Sequence, residues 1–332
     1  MIQRKKPKKK LKFIWIDDTP QRRKSADNMS KELNIDVDFC DLKNKNVNSE
    51  LQSISSKPEP DLVLMDHSLD QADGETTRSG SSAAAILREN WHACPIVSIT
   101  GTDIIDMDTR HRSAYEAIFQ YSDISRSYPK IMAIAKGFSS LKQKPPTTIK
   151  EVLDHLNVPE DERVRIIKIL PGELKDNFNN KSLLLEIYRW CESILFKRPG
   201  FLYDRLWAST LLGLNLDGFK QVEAKFNSAK YQGVFTDHSD ERWWKSELLS
   251  ILGEEVDQVG LPWVMGRALV DNKKDYFSKC YVNQEEFPET VAAVDATNDA
   301  EWHPMKLKYT DPHPIFEDML FFEELRMMKA AE

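Results

Sequence analysis

Three short apolar runs in the first hundred residues each end in a group that can do chemistry. Phe13-Ile14-Trp15-Ile16 runs into Asp17 and Asp18. Leu62-Val63-Leu64-Met65 runs into Asp66, then turns polar through His67-Ser68-Leu69-Asp70-Gln71-Ala72-Asp73-Gly74. Pro95-Ile96-Val97-Ser98-Ile99 runs into Thr100-Gly101. Continuous apolar runs of this length read as strands buried on both faces of a parallel sheet. In open α/β sheets, sites lie just past the carboxyl ends of the strands. These strand ends supply an acid pair, a single acid and a hydroxyl. Close carboxylates repel one another, so such a cluster suits a hard cation, and Mg²⁺ takes oxygen ligands while keeping several waters. A pocket of three Asp residues with Mg²⁺ can accept a phosphoryl group, with one carboxylate as the nucleophile.

The elements that position these groups follow from the pattern between the runs. Pro20 to Leu33 reads as a helix with Ala26, Met29 and Leu33 on one face. Val37 to Cys40 reads as a second strand, and Asn48 to Ile54 lies in a second helix. Ala83-Ala84-Ala85-Ile86-Leu87-Arg88 belongs to a third helix ending near Trp91, and Asp103 to Ala114 should hold a short fourth. Ala117 to Tyr121 is the fifth strand, and Pro129 to Leu141 a last helix with Ile131, Ile134, Ala135 and Phe138 at helical spacing. Gln143-Lys144-Pro145-Pro146 is the clearest break, because two prolines cannot continue a helix.

Residues 11–142 resemble the receiver domain of two-component response regulators. The resemblance rests on Asp17-Asp18, Asp66, Thr100, the loop from Asp66 to Gly74 with its Asp73-Gly74 pair, and the alanine-rich helix that follows. It implies a flavodoxin-like, doubly wound α/β domain with a five-stranded parallel sheet. It also implies roles: Asp66 as phosphoacceptor, Asp17, Asp18, Asp66 and the backbone carbonyl of Ser68 as Mg²⁺ ligands, and Thr100 as the hydroxyl that contacts the phosphoryl oxygens. The chain departs from the family in three places. No Lys lies between Glu116 and Ser125, where the family carries one after the fifth strand; Asp70 stands where the family has a Pro; and Glu75 to Gly80 lengthen the loop. The lost lysine removes a charge-assisted bond of the kind worth roughly 1.5–3 kcal/mol. Two readings stay open: a receiver that phosphorylates poorly, and a pseudo-receiver that only binds a partner.

Composition bounds the rest. A chain of 332 residues suggests two or three domains, and 41% hydrophobic residues with eight Trp suffice for real cores. No run approaches the ~20 apolar residues of a membrane span. Met1 to Lys12 lacks the apolar stretch of a signal peptide. Cys40, Cys94, Cys191 and Cys280 are scattered, which argues against a zinc ribbon or a disulfide framework and fits the cytoplasm. Residues 1–145 hold 23 Lys+Arg and 20 Asp+Glu, while the remainder holds 23 and 33, so the second half does not look like a nucleic-acid surface.

The chain therefore divides into a basic arm over 1–10, expected to be disordered, the receiver-like domain over 11–142, a linker over 143–147, and a mainly α-helical domain over 148–332. Arg4, Lys5, Lys6, Lys8, Lys9 and Lys10 could meet the phosphates of a nucleic acid without reading its sequence. Helices are expected over Phe201–Leu212, Phe219–Ala229 and Glu241–Leu252, short strands over Lys279–Val282 and Lys306–Tyr309, and an amphipathic helix over Pro314–Ala330. Asp237-His238-Ser239-Asp240 and Asp311-Pro312-His313 lack the spacing of a metal site, and no phosphate loop or nucleophile elbow occurs. Arg242-Trp243-Trp244-Lys245 mixes aromatic and basic residues as nucleic-acid surfaces do, although Trp at such spacing usually belongs to a core.

The expected function is regulated binding of a protein partner, in the manner of an atypical response regulator. Receivers joined to unrelated effectors also occur in bacterial conflict systems, which makes antiviral defence one setting for it. Two alternatives belong to other classes: a receiver-controlled hydrolase or nuclease, and a DNA-binding regulator. The arm has no apolar residue between Gln3 and Lys10 other than Pro7 to anchor it. Deleting residues 1–9 is therefore expected to leave Tm nearly unchanged in a thermal melt.

Overall fold

The apolar runs are strands in the computed structural model, which describes residues 10–73, 79–197, 200–256, 260–286, 290–294 and 301–306. Alternation builds the first unit: β1 (Lys12–Asp17), α1 (Arg23–Leu33), β2 (Asp36–Asp41), α2 (Val47–Ser55), β3 (Leu62–Asp66), α3 (Gly80–Arg88), β4 (Ile96–Thr100), α4 (Thr109–Arg112), β5 (Ala117–Gln120) and α5 (Tyr128–Gln143). The five strands form one parallel sheet in the order β2-β1-β3-β4-β5. This is the doubly wound receiver fold. Right-handed crossovers put α1 on one face and α2 and α3 on the other.

Side-chain alternation fills the two faces. Ile14, Ile16, Val63, Met65 and Ile96 point to the side where Val47, Leu51 and Ile54 of α2 meet Ala83, Ala84 and Leu87 of α3. Phe13, Trp15, Leu62, Leu64 and Val97 fill the opposite face, and all are buried. The central strands β3 and β4 are buried at every position, as expected for strands covered on both sides. In the register of β1 with β3, Ile16 lies opposite Met65, so Asp17 and Asp66 leave the sheet side by side.

Beyond α5 come α6 (Ile149–His155), α7 (Glu160–Ile169), α8 (Glu173–Asp176) and α9 (Leu183–Trp190), the last continuing as a π-helical turn through Cys191–Phe196. β6 (Leu202–Tyr203), α10 (Arg205–Leu211), α11 (Leu216–Val222), β7 (Trp243–Trp244), α12 (Lys245–Glu255), α13 (Pro262–Ala268), β8 (Thr290–Val294) and β9 (Trp302–Lys306) complete the described chain. Two compact units result. The first takes the chain up to 155 together with 171–189 and 234–239; the second takes 156–170, 190–233 and the chain from 240 onward. The first unit thus holds more than residues 11–142.

The second unit has its own core, in which Tyr203, Trp207, Phe219, Phe226, Trp243, Leu248 and Phe277 are buried. It departs from the helical expectations at two points. Leu202–Tyr203 pairs antiparallel with Trp243–Trp244, so α10 starts only at Arg205 and α12 only at Lys245. Aromatic residues favour such pleated, buried positions, and the Asp204 carboxylate caps α10 by accepting from Trp207 N at 2.8 Å. The late strand pair is β8 with β9, not one through Lys279–Val282. Lys279 makes only an isolated bridge to Glu286. The arm up to Lys9 and the Pro314–Ala330 helix lie outside the described residues.

One feature of the first unit ties its separate segments together. Phe235 is held at φ 67° and buried. Such backbone strain costs about 1–3 kcal/mol for a bulky residue. The ring meets Tyr188 at 4.9 Å and Phe138 at 5.3 Å between centroids. Burying a Phe side chain is worth roughly 1.5–3 kcal/mol and each aromatic pair about 0.5–1.5 more, so packing outweighs the strain. Gly137 makes this fit possible, because a Cβ there would lie 2.1 Å from Phe235 Cδ1. Gly137→Ala is expected to lower Tm clearly in a thermal melt. Residues 11–142 alone contain the whole sheet and are expected to unfold cooperatively, but at a lower Tm than the full chain, because Phe138 loses Tyr188 and Phe235.

Candidate functional site

The sheet brings the sequence-predicted acids to one place. Asp17, Asp18 and Asp66 are all buried, and each offers a carboxylate oxygen within 4.8 Å of the others. Among the described residues no other group of His, Cys, Asp or Glu is assembled this way. Asp18, Asp66, Ser68, Asp70, Gln71, Thr100, Gly101 and Thr102 line a cleft of about 210 Å³ together with Thr19 and Arg22. That volume suits a small anion and a hydrated ion rather than a large ligand, for which pockets run to about 300–1,000 Å³.

Each acid is held by a local device. Asp17 accepts from Thr19 N at 2.8 Å and from the Trp15 indole Nε1 at 3.1 Å. Asp18 accepts from Gln71 N at 2.5 Å, which fixes the loop after β3 against the end of β1. That loop is also tied to the turn after β2, through Asn44 N to Gln71 O at 3.0 Å and Asp73 N to Lys45 O at 2.8 Å. Asp66 sits where α3 starts close behind its strand: a Cβ at Gly80 would lie 2.0 Å from the Asp66 carbonyl oxygen, so only glycine fits. The Thr100 hydroxyl accepts from Thr102 N at 2.9 Å. Ser68 lines the cleft, with its hydroxyl donating to Asp70 Oδ2 at 2.5 Å. Gly74 lies outside the described residues.

The residue that sequence reasoning missed is Arg22. Its Nη1 lies 2.9 Å from Asp17 Oδ2 and 2.9 Å from Asp66 Oδ2. Its guanidinium also stacks over the Tyr121 ring, 4.6 Å from the centroid. A signal was present in the sequence. Arg22, Arg23 and Lys24 open a helix that has no acid in its first turn. Cations at a helix N-terminus oppose the macrodipole, so this cluster needs anions from elsewhere. Thr100 lies opposite Gln120 in the sheet register, so β5 brings an uncharged amide to this end of the sheet.

The electrostatics are those of an over-filled acidic site. Two unit charges about 4 Å apart near a protein surface interact by roughly 4 kcal/mol, and one guanidinium cannot neutralise three carboxylates. Burial, with the Asp17 charge next, pushes Asp66 up to about 7 against the pull of Arg22. Burial likewise raises Asp17, with Arg22 acting the other way. Burial works against the Arg22 charge, but Asp66 and Asp17 outweigh it and raise its pKa. The donor set is all carboxylate oxygen and carries excess negative charge, which fits a hard divalent cation such as Mg²⁺.

Among its described residues the second half assembles no comparable acidic cluster. Trp243 and Trp244 are buried and cannot offer stacking faces to a base. Arg242 is paired with Asp240 Oδ2 at 2.5 Å. His238 is exposed, and Asp237 bonds the backbone and hydroxyl of Ser239 instead. Arg198 and the Asp311-Pro312-His313 segment lie outside the described residues. None of the four cysteines is in a disulfide, and burial raises the Cys40 pKa to about 11. No helix among the described residues is long and apolar enough to cross a membrane.

No protein-family model matches the sequence, and neither does any curated protein. Solved structures do match the first part of the chain. A response regulator receiver domain from Methylobacillus flagellatus is 16% identical, with a TM-score of 0.31, and covers 38% of this chain and 99% of its own. One from Methanospirillum hungatei is 13% identical, with a TM-score of 0.32, over 40% of this chain and 98% of its own. A response regulator from Thermotoga maritima, in complex with Mg²⁺ and beryllofluoride, is 19% identical, with a TM-score of 0.31, over 37% and 98%. The class is drawn from this chain's own strand order and strand-end acids: a receiver-type α/β domain.

The raised Asp66 pKa fixes the sign of a pH effect. An unfolded Asp titrates near 3.9. The buried acid contributes stability that is fully present below that pH and is lost as pH rises through about 7. Asp66→Asn removes the titration. In metal-free protein it is therefore expected to raise Tm at pH 8 and to have little or no such benefit at pH 4.

Proposed function

We propose that the chain is a signalling protein whose receiver-like domain accepts a phosphoryl group on Asp66 and acts by regulated binding of a protein partner. The observation that carries this reading is the burial of Asp17, Asp18 and Asp66 within 4.8 Å of one another, at a cleft that Thr100 also lines. Asp17, Asp18, Asp66 and the backbone of Ser68 would hold Mg²⁺. That ion would offset the charge of the acids and of an incoming phosphoryl group. The beryllofluoride complex of the Thermotoga maritima regulator suggests the same ligand chemistry for this cleft.

The chain's own groups have defined tasks in such a transfer. An ionised Asp66 oxygen forms the new bond to phosphorus. The bond between phosphorus and the donor's nitrogen or oxygen breaks, and its electron pair leaves with the donor, which takes a proton from water. Thr100, now bonded to the Thr102 backbone, would turn its hydroxyl to a phosphoryl oxygen. The loop from His67 to Asp73 shields one side of the cleft through its ties to Asp18 and to the turn after β2.

A switch needs contacts that differ between its two states. The Thr100–Thr102 turn and the Asp18–Gln71 bond are such contacts, because both would change as the cleft takes up charge. The chain passes between the two units at 155–156, 170–171, 189–190, 233–234 and 239–240. Strain in the first unit therefore has several covalent routes to the second. The partner would read that change. Incubation with a small phosphodonor and Mg²⁺, followed by intact-mass measurement, is expected to add one phosphoryl group to the wild type and none to Asp66→Asn. Labelling of Asp66→Asn equal to that of the wild type would remove Asp66 from the role.

A further inference from the structure

This inference rests on the phosphoacceptor reading of Asp66 and concerns how the cleft is balanced. A phosphoryl group on Asp66 would bring further negative charge into a site already holding three carboxylates. The register of β4 with β5 puts the neutral Gln120 beside Thr100, and no Lys or Arg lies from Ala117 to Ser125. Among the described residues that line the cleft, Arg22 is the one cation.

Arg22 is built into the site rather than lying across it. One nitrogen, Nη1, reaches both Asp17 and Asp66 at 2.9 Å. The guanidinium carbon lies over the Tyr121 ring, 4.6 Å from its centroid, and the Tyr121 hydroxyl is hydrogen-bonded with Ser25 Oγ at 2.7 Å. A guanidinium presents several donors in a fixed fork that matches phosphate oxygens, which an ammonium does not. The side chain is short of solvent, at 16% exposure, so its charge is little screened.

We propose that Arg22 is the phosphoryl-binding cation of this site, supplied from the turn after β1 instead of from β5, and that in the resting protein it is the counter-ion of Asp17 and Asp66 with which Mg²⁺ must compete. Two opposite consequences follow for one residue. Arg22 opposes Mg²⁺ while the cleft holds only carboxylates, because both cations seek the same oxygens. Arg22 then favours a phosphoryl group, because its fork turns from the carboxylates to the new oxygens while Tyr121 keeps its plane. The cleft would therefore respond to the ion and the phosphoryl group together more than to the ion alone.

The test is a pair of titrations on the full chain. Mg²⁺ alone is followed by calorimetry, and beryllofluoride at saturating Mg²⁺ by fluorine NMR. Arg22→Ala is expected to bind Mg²⁺ several-fold more tightly and beryllofluoride about ten-fold or more weakly, the loss of a charge-assisted bidentate contact. Arg22→Lys, which keeps the charge without the fork, guards against a variant that does not fold. It is expected to bind Mg²⁺ much as the wild type does and beryllofluoride more weakly. Unchanged Mg²⁺ and beryllofluoride affinities in Arg22→Ala, or in Arg22→Lys should Arg22→Ala not fold, an unchanged beryllofluoride affinity, would overturn the role of Arg22 and leave the phosphoacceptor reading standing. Beryllofluoride binding to none of the three proteins would overturn that reading, and the phosphoryl role of Arg22 with it.

Discussion

Three carboxylates buried at adjacent strand ends repel one another, and the surrounding structure is arranged around that repulsion. The sheet register forces the juxtaposition, since Asp17 and Asp66 follow Ile16 and Met65, which are partners in the ladder. Neighbouring groups then hold the acids in place: the Thr19 amide and Trp15 indole at Asp17, the Gln71 amide at Asp18, and the Arg22 guanidinium between Asp17 and Asp66. These interactions do not neutralise the site, and burial, with the Asp17 charge second, keeps the Asp66 pKa raised. Residual negative charge in a small cleft is an incentive to take up a cation.

The fixed and adjustable parts of the first unit are distinct. Fixed parts include the fully buried strands β3 and β4, the Gly80 approach to the Asp66 carbonyl, and the aromatic contact of Phe138, Tyr188 and Phe235. In the proposed switch the parts that would adjust are at the cleft: the Thr100 hydroxyl, now bonded by Thr102 N, and the Arg22 guanidinium, now over Tyr121. A rigid sheet with a soft rim can hold the acids in register while its surface responds. The later segments 171–189 and 234–239 belong to the same unit as the sheet.

Much of this could be read from the sequence, for identifiable reasons. The apolar runs 13–16, 62–65 and 95–99 gave their strands away because a strand covered on both faces is apolar at nearly every position, Ser98 being the one polar residue in the three runs. An Asp after a strand is common in turns, so what stood out was the combination: Asp17-Asp18 and Asp66 at the ends of two runs and Thr100 at the end of the third. Arg22 was hidden because its partners lie in β1 and in β3, the second of them 44 residues away in the chain. The Trp243–Trp244 strand was hidden because two-residue pairings have no period to detect, and the helix pattern behind it extends over them. Phe235, from 234–239, packs against Gly137 and against Tyr188 of 171–189, a contact between distant segments that no local pattern announces.

Hydrogen–deuterium exchange of the full chain, with and without Mg²⁺ and beryllofluoride, distinguishes a ligand-driven switch at the acid cluster from a structural remnant. A switch is expected to slow exchange at the backbone amides of Gln71 and Thr102 and in the turn that carries Arg22, with changes extending into 171–189 or 234–239. Identical exchange throughout those segments in both conditions would contradict it.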